Sequence, residues 1–280
     1  MRISSVDDMT TRVLATGLAM GESPRWHDGV LWLCDWLAGE VVTIDASGTV
    51  QVVRRIDGLP FSVDWLPDGR EVYTTQHGVV VGPDLTAYGG TGRPWNEIVV
   101  DPSGRVFVNM PGSRPGEEPR PGVVAVVSPD GETREAADDL WFPNGMAVTP
   151  DGSTLIVAES HAHRLTAFRI AADGSLVDRR TWADLGADAA PDGICLDAEG
   201  AVWYADVPNR HCRRVAEGGA VLETVQVDRG CFACMLGGPD GRLLHIVATD
   251  WEHLDWQHGG GERTGQVLTH DAPAPHAGRP

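Results

Sequence analysis

The chain has 280 residues, of which 42% are hydrophobic, and it carries a formal net charge of −18 with a sequence pI of about 4.8. This acidity excludes nucleic acid as a partner, since phosphate recognition needs a basic face, and it disfavours an anionic membrane surface. Residues 1–19 lack the basic segment and apolar core of a secretory signal. No apolar run approaches the roughly 18 residues of a membrane span. We therefore expect a cytoplasmic protein that does not bind membranes.

Short apolar runs, punctuated by Gly, Asp, Asn and Pro, fill the chain, and helical periodicity is absent. A turn that ends in glycine and is followed by an apolar strand recurs six times. In chain order, the predicted strands cover residues 30–34, 71–75, 106–109, 154–158, 202–205 and 243–247. The turn glycines are Gly29, Gly69, Gly104, Gly152, Gly200 and Gly241, separated by 40, 35, 48, 48 and 41 residues.

The spacing of these turns predicts an all-β, six-bladed β-propeller, because a blade of four antiparallel strands needs about 40 to 50 residues. Second turns, at Gly48, Gly131 and Gly174, divide several repeats into two hairpins. A β-sandwich would not produce a repeat of this length.

The propeller is predicted to span residues 1–280 as one domain. A propeller ring has to be closed, and we expect residues 11–18 to pair as the outer strand of the last blade. Residues 1–9 and the proline-rich end, residues 272–280, are expected to be loose.

One residue per repeat lies seven or eight positions before the turn glycine, where the innermost strand of a blade meets the central channel. These residues are Glu22, Ser62, Asn96, Asn144, Asp192 and Ala233. Four of the six, Glu22, Asn96, Asn144 and Asp192, have a carboxylate or amide oxygen as acceptor, and such groups repel or stay unsatisfied without a cation between them. A hard cation such as Ca²⁺ or Mg²⁺ suits these oxygens best. Alternatively, the same residues cap blade ends or bind buried water.

Five cysteines are present, and their odd number without an export signal indicates reduced thiols. Cys231 and Cys234 form a C-x-x-C pair, but the chain has neither the second pair of a zinc site nor the βαβ context of a thioredoxin motif. We interpret the two as buried small residues, and any other role stays open.

Four segments around the channel positions carry longer motifs. They read Gly-Glu-Ser-Pro-Arg-Trp at 21–26, Trp-Asn-Glu-Ile-Val-Val-Asp-Pro-Ser-Gly at 95–104, Phe-Pro-Asn-Gly-Met at 142–146 and Pro-Asp-Gly-Ile-Cys-Leu-Asp at 191–197. In this order they resemble the gluconolactonase, senescence-marker-protein-30 (regucalcin) and luciferin-regenerating-enzyme-like family. The resemblance extends over roughly residues 12–270.

The resemblance implies a six-bladed propeller with one divalent metal ion bound directly by Glu22, Asn144 and Asp192. It places Asn96 near that ion, in contact with substrate or with a metal-bound water. Ca²⁺ is the expected ion, with Zn²⁺, Mn²⁺ and Mg²⁺ as alternatives. Family members with an assigned activity mostly hydrolyse lactones, often of sugar acids, and others open different esters or phosphoesters.

The sequence departs from the family pattern near the expected substrate. Pro94 stands where many sugar-lactone enzymes have an arginine, and Arg93 lies one position earlier. Glu97 replaces an aspartate, and Arg25 stands where an apolar residue is common. These changes leave the predicted ligands intact and put a sugar substrate in doubt.

We predict a metal-dependent hydrolase that opens a lactone or related ester, with Asp192 as the catalytic base toward water. The predicted substrate-binding residues are Asn96, Glu97, Arg25, Trp95 and His161. The alternative is a non-hydrolytic propeller of a biosynthetic pathway, or a scaffold that binds a small molecule. In either case we expect a small-molecule partner and a monomer or weak homo-oligomer.

Aromatic residues cluster near the motif segments. They are Trp36, Trp65, Trp95, Trp141 and Phe142. Two interpretations are open: an aromatic rim for an apolar ligand, or packing between blades.

Overall fold

The computed structural model describes residues 11–90, 92–114, 116–254 and 261–278, so the predicted loose segment 1–9 lies outside the described residues. Six four-stranded antiparallel sheets make up this part of the chain. Its helical content is limited to three short 3₁₀ turns, at Trp36–Ala38, Ser160–Ala162 and Trp251–His253. No helix within the described ranges is long and apolar enough to cross a bilayer.

Each sheet is one blade, and in blades 1 to 5 the strands follow one another in sequence from the channel outward. Blade 1 contains β2 (Gly21–His27), β3 (Val30–Asp35), β4 (Glu40–Ile44) and β5 (Val50–Arg55). Blade 2 contains β6 (Val63–Trp65), β7 (Glu71–Thr75), β8 (Gly78–Val81) and β9 (Thr86–Gly89). Blade 3 contains β10 (Ile98–Val100), β11 (Val106–Met110), β12 (Gly122–Val127) and β13 (Thr133–Leu140).

The second half of the molecule repeats this plan. Blade 4 contains β14 (Pro143–Val148), β15 (Thr154–Glu159), β16 (Arg164–Ile170) and β17 (Leu176–Asp184). Blade 5 contains β18 (Pro191–Leu196), β19 (Val202–Asp206), β20 (His211–Val215) and β21 (Val221–Gln226). Blade 6 contains β22 (Gly230–Gly237), β23 (Leu243–Thr249), β24 (Gly265–Asp271) and β1 (Arg12–Leu18).

The innermost strands stand around a central channel, where each contacts the innermost strands of both neighbouring blades and β22 returns to β2. The predicted ring closure is confirmed, because the N-terminal strand β1 pairs antiparallel with β24, with Arg12 opposite Thr269 and Leu18 opposite Gly265. The sixth blade is thus built from both ends of the chain. The predicted six-bladed propeller is confirmed.

The turns between first and second strands have the chemistry that their sequence predicts. In blade 3, the Asp101 carboxylate accepts the N–H groups of Ser103 and Arg105 at 2.8 and 2.9 Å, and Gly104 has a φ of 81°. A positive φ closes the hairpin at little cost only for glycine. This local requirement is why the turn glycines mark the repeat.

Burial falls from the channel outward within a blade. In blade 5, every residue of β18 is buried, whereas four of the six residues of β21 are exposed. Apolar side chains from adjacent blades share cores, and Trp203, Tyr73 and Phe107 are among the largest fully buried ones. All five cysteines are buried and free, as the interpretation of Cys231 and Cys234 as buried small residues requires.

The end of the chain corrects one expectation. Residues 272–278, predicted to be loose, run against the turn end of blades 5 and 6. His276 forms a bridge with Asp197, and Ala272 and Ala274 are buried. Small side chains let this segment lie close to the turns, whose polar backbone groups it satisfies.

Candidate metal and active site

The innermost strands all begin at one end of the channel. Because the strands of a blade alternate in direction, the connections from second to third strand and from one blade to the next lie at this same end. The short glycine turns lie at the opposite end. The candidate site is therefore surrounded by the connections whose lengths vary most, since two residues, 76–77, link β7 to β8 whereas eleven, 111–121, link β11 to β12.

Three predicted channel residues lie in or beside irregularities of the innermost strands. The pairing of first and second strands shifts register just after Glu22 in blade 1, across Asn144 in blade 4 and across Asp192 in blade 5. Such bulges bend a strand and re-aim the side chains within it. Blades 1, 4 and 5 thus share a local distortion at the three predicted metal ligands.

Glycine follows two of the predicted ligands because the innermost strands approach closely there. A Cβ added at Gly145 would lie 2.6 Å from the Asp192 carbonyl oxygen, and one added at Gly193 would lie 2.5 Å from Ala233 Cβ. Real Cβ atoms do not come this near to such neighbours. The Asn-Gly and Asp-Gly pairs therefore bring blades 4, 5 and 6 together at the channel.

Hydrogen bonds connect the polar channel residues from blade to blade. Ser62 Oγ donates to the Asn96 carbonyl at 2.6 Å, and Asn96 Nδ2 donates to Asn144 Oδ1 at 3.4 Å. Asn109, on the second strand of blade 3, donates from Nδ2 to the Asn144 carbonyl at 2.5 Å. These bonds leave the Asn144 side-chain oxygen in the acceptor role that a metal ligand needs.

The channel carboxyls are buried and close enough to interact. Burial raises the pKa of Glu22 well above its ordinary value, and the neighbouring charges of Asp192 and Glu97 raise it further. The pKa of Asp192 is likewise raised, mainly by burial and then by Glu97 and Asp206. Without a compensating positive charge, this channel disfavours ionised carboxylates.

Arg25 supplies part of that compensation. Its Nη2 lies 3.7 Å from Glu97 Oε2 and donates to the Ile98 carbonyl at 2.6 Å, and its Nη1 donates to the Pro24 carbonyl at 2.9 Å. Burial raises the pKa of Glu97, and the Arg25 charge opposes that rise. The predicted substrate residues Arg25 and Glu97 are thus brought together as a buried pair.

The donor set fits a divalent cation. Asp192 Oδ1 is buried without a hydrogen-bond partner in the described structure, which is costly for a carboxylate. Glu22, Glu97 and Asp192 against Arg25 leave a net charge of −2 when all four are ionised. The described ranges contain no cluster of three His, Cys, Asp or Glu side chains that could hold a metal ion. The predicted ligand set has only two residues of these types, and Asn144 supplies its third oxygen.

His161 lies at the mouth of blade 4. Its ring lies against that of Phe142 at a tilt of 38°, with 4.5 Å between ring centroids, and the neighbouring Trp141 is 37% exposed. Burial lowers the pKa of His161, and His163 lowers it further. The mouth of the channel therefore includes an aromatic surface at this blade.

Trp95 lies away from that surface. It is 3% exposed in the core between blades 2 and 3, and its Nε1 donates to the Gly90 carbonyl at 2.8 Å. The Arg93 guanidinium lies over the Trp95 ring, 5.1 Å from its centroid. This placement corresponds to the packing interpretation of the aromatic residues, and it differs from the predicted role of Trp95 in substrate binding.

The sequence analysis missed a set of buried carboxyl groups. They end the second strands of blades 1, 4 and 5, the blades that carry the three predicted metal ligands. Asp35, Glu159 and Asp206 are each at most 1% exposed. Each is an acidic residue at the end of an apolar strand, a signal visible in the sequence. Each accepts a backbone N–H from the segment that leads into a predicted ligand.

A model of the SMP-30/gluconolactonase/LRE-like region matches residues 20–250 of the chain. The chain is similar to 6-deoxy-6-sulfogluconolactonase of Pseudomonas putida, with 25% identity over 251 residues that cover 82% of this chain and 83% of the relative. It is also similar to regucalcin of Gallus gallus, with 29% identity over 258 residues that cover 85% and 86% of the two chains.

The fold is similar to that of a calcium-binding protein, regucalcin of Agrobacterium tumefaciens. The TM-score is 0.77 with 23% sequence identity, and the match covers 97% of this chain and 96% of that one. At this level of identity, the likeness shows the fold alone.

Proposed function

Because the chain belongs to the SMP-30/gluconolactonase/LRE-like family, we propose that it is a metal-dependent hydrolase that opens a lactone in the central channel. The observation that carries the proposal is the buried, unpartnered oxygen of Asp192 beside a second buried carboxyl, Glu22. Burying these two groups together without a bound ligand would cost free energy, because both lose their hydration and their charges repel. Named relatives support lactones as the substrate class, since one is a sulfogluconolactonase.

Glu22, Asn144 and Asp192 would hold the cation through their side-chain oxygens. Carboxylate and amide oxygens favour Ca²⁺, and a relative of the same fold is described as calcium-binding. When bound, the cation supplies Lewis acidity, which polarises a carbonyl group and lowers the pKa of water. Three protein ligands leave positions open for substrate and water.

Lactone hydrolysis adds water to the ester carbonyl and breaks the ring C–O bond, so that a hydroxy acid is released. Asp192 is the proposed base that accepts the proton of the attacking water. Asn96 orients the substrate, because its Nδ2 has a second N–H besides the one directed at Asn144. Arg25 keeps Glu97 in place through their ion pair.

The proposal is tested with a panel of sugar, aliphatic and aromatic lactones, each assayed with and without a chelator. We expect hydrolysis of at least one class, loss of the rate with EDTA and recovery on adding Ca²⁺, Mn²⁺ or Zn²⁺. A rate that persists after complete removal of divalent ions would contradict the metal dependence. No hydrolysis of any lactone by the metal-loaded protein would contradict the activity.

A further inference from the structure

Three buried carboxyls outside the candidate site occupy one repeated position. Asp35, Glu159 and Asp206 are the last residues of β3, β15 and β19, the second strands of blades 1, 4 and 5. The residues paired with them on the innermost strands are Gly21, Pro143 and Pro191. Each of these pairing partners directly precedes a proposed metal ligand.

In blade 1, the carboxylate binds the backbone that leads into the ligand strand. Asp35 accepts the N–H of Met20 at 2.7 Å through Oδ1 and the N–H of Ala19 at 3.0 Å through Oδ2. Met20 is two residues before Glu22. Asp35 therefore fixes the entry of the strand that carries the first ligand.

Blades 4 and 5 repeat this contact. Glu159 Oε2 accepts the Trp141 N–H at 2.7 Å, three residues before Asn144. Asp206 Oδ2 accepts the Ala190 N–H at 3.1 Å, two residues before Asp192.

The carboxylates of blades 4 and 5 are in turn held by other side chains. Arg164 Nε donates to Glu159 at 2.9 Å, and Asn209 Nδ2 donates to Asp206 at 3.0 Å.

The second strands of the other three blades end in uncharged residues. In blade 2 the last residue of β7 is Thr75, whose hydroxyl donates to the Gly78 carbonyl at 3.0 Å. In blade 3 the last residue of β11 is Met110. In blade 6, Thr249 is paired with Gly230 and its hydroxyl is buried without a partner in the described structure. Within the described residues, the second strand therefore ends in an acidic residue only in the three blades that carry the proposed ligands.

We propose that Asp35, Glu159 and Asp206 are positioning residues that set the three ligand-bearing strands for cation binding; this rests on the ligand set of the proposed function. An ionised acceptor binds backbone N–H groups more strongly than a hydroxyl does, so it limits the movement of the strand entry. Residues that orient ligands from outside the coordination sphere typically change metal affinity 10- to 100-fold when they are substituted. A cation that needs oxygens from three blades requires such fixed entries.

The test uses Asp35→Asn, Glu159→Gln and Asp206→Asn, which keep shape and remove the charge. Dissociation constants for Ca²⁺ and Mn²⁺ are measured by titration calorimetry, well below the unfolding temperature of the metal-free protein. We expect each constant to rise at least about tenfold. The matched control, Thr249→Val, changes the equivalent position of a blade without a ligand, and its constants should stay within about twofold of wild type.

The unfolding temperature of each metal-free variant separates positioning from general stability. A variant may unfold at a lower temperature and still bind cations with wild-type affinity. That result would show that the substituted residue serves stability alone, and it would overturn the inference. If a neutral variant loses its native circular dichroism spectrum, the charged variant of the same residue takes its place: Asp35→Glu, Glu159→Asp or Asp206→Glu. Moving the carboxylate by one methylene should then weaken binding about threefold or more, and wild-type affinity overturns the inference. A wild-type protein that binds neither ion contradicts the proposed function, and this inference with it.

Discussion

Each proposed ligand is accompanied by a residue that makes its unusual backbone possible. Ser23, after Glu22, has a φ of 48°, a region that few residues other than glycine enter. Gly145 and Gly193, after Asn144 and Asp192, leave room for the neighbouring strand. Strain and close approach of this kind concentrate at functional sites, because the surrounding structure has to maintain them.

Asp192→Ala should abolish turnover and leave the fold intact. The substitution removes both a ligand and the proposed base, and we expect a loss of at least about 100-fold in rate. The blade cores, which carry the stability, are untouched, so the circular dichroism spectrum should stay native. The control Asp138→Ala changes an exposed carboxylate on blade 3 and should keep the wild-type rate. A near-wild-type rate for Asp192→Ala would show that the base lies elsewhere.

Aldonolactones should be poorer substrates than less hydroxylated lactones of equal ring size. Pro94 has no donor for a sugar hydroxyl, Arg93 lies over the Trp95 ring, and the guanidinium ends of Arg25 are bonded to Glu97 and backbone carbonyls. A site without matching donors leaves hydroxyls unpaired, which costs affinity. The measurement is kcat/KM on gluconolactone and on an aliphatic lactone. A preference of about tenfold for gluconolactone would overturn this expectation.

At the scale of the elements, stability comes from packing between neighbouring blades. Trp26 at the end of β2 stacks on His245 of β23, with 5.3 Å between ring centroids. The His245 side chain donates from Nδ1 to the Met235 carbonyl at 3.2 Å, and burial lowers its pKa to about 4. The imidazole is therefore kept neutral in the interface between blades 6 and 1.

Acid should destabilise the protein partly through His245. The folded-state pKa lies below the unfolded value of about 6.5, so the unfolded chain takes up the proton first as the pH falls. The stability that neutral His245 contributes is complete above about pH 6.5 and is lost toward pH 4, by up to about 3 kcal/mol. Urea unfolding at several pH values should show a shallower dependence for His245→Phe. Exposed His77→Asn should keep the wild-type dependence, and an unchanged slope for His245→Phe would contradict the assignment.

At the scale of the whole molecule, the ring depends on a strand from the opposite end of the chain. Strand β1 completes blade 6, and Leu18 is buried in the core that blade 6 shares with its neighbours. Pairing with β1 also covers the edge of β24, whose backbone N–H and C=O groups would otherwise be open. The last blade is therefore complete only when residues more than two hundred positions apart in the chain have paired.

Leu18→Ala should therefore destabilise the whole propeller by about 2 to 5 kcal/mol, as expected for a buried leucine. The matched control on the same strand is Val13→Ala, since Val13 is 56% exposed and its substitution should cost less than about 0.5 kcal/mol. Urea unfolding followed by tryptophan fluorescence measures both. Equal stabilities for the two variants would show that β1 does not close the ring in solution.

The sequence by itself determined the blade count, the strand order and the closure of the ring, because these depend on local chemistry. A turn glycine with positive φ and an apolar strand after it can be recognised without knowing the fold, and their spacing implies the rest. The positions of Glu22, Asn96, Asn144 and Asp192 relative to those turns were likewise readable. Their roles toward a cation and a substrate stay predictions.

Only the tertiary structure decided which side chains from different blades meet. It placed Trp95 in a core, joined Arg25 to Glu97, and packed residues 272–278 against blades that precede them in the chain. It also showed that Asp35 and its counterparts bind the entries of the ligand strands. These outcomes depend on the angle and distance between blades, which no local pattern records, because the residues involved are neighbours in space and not in sequence.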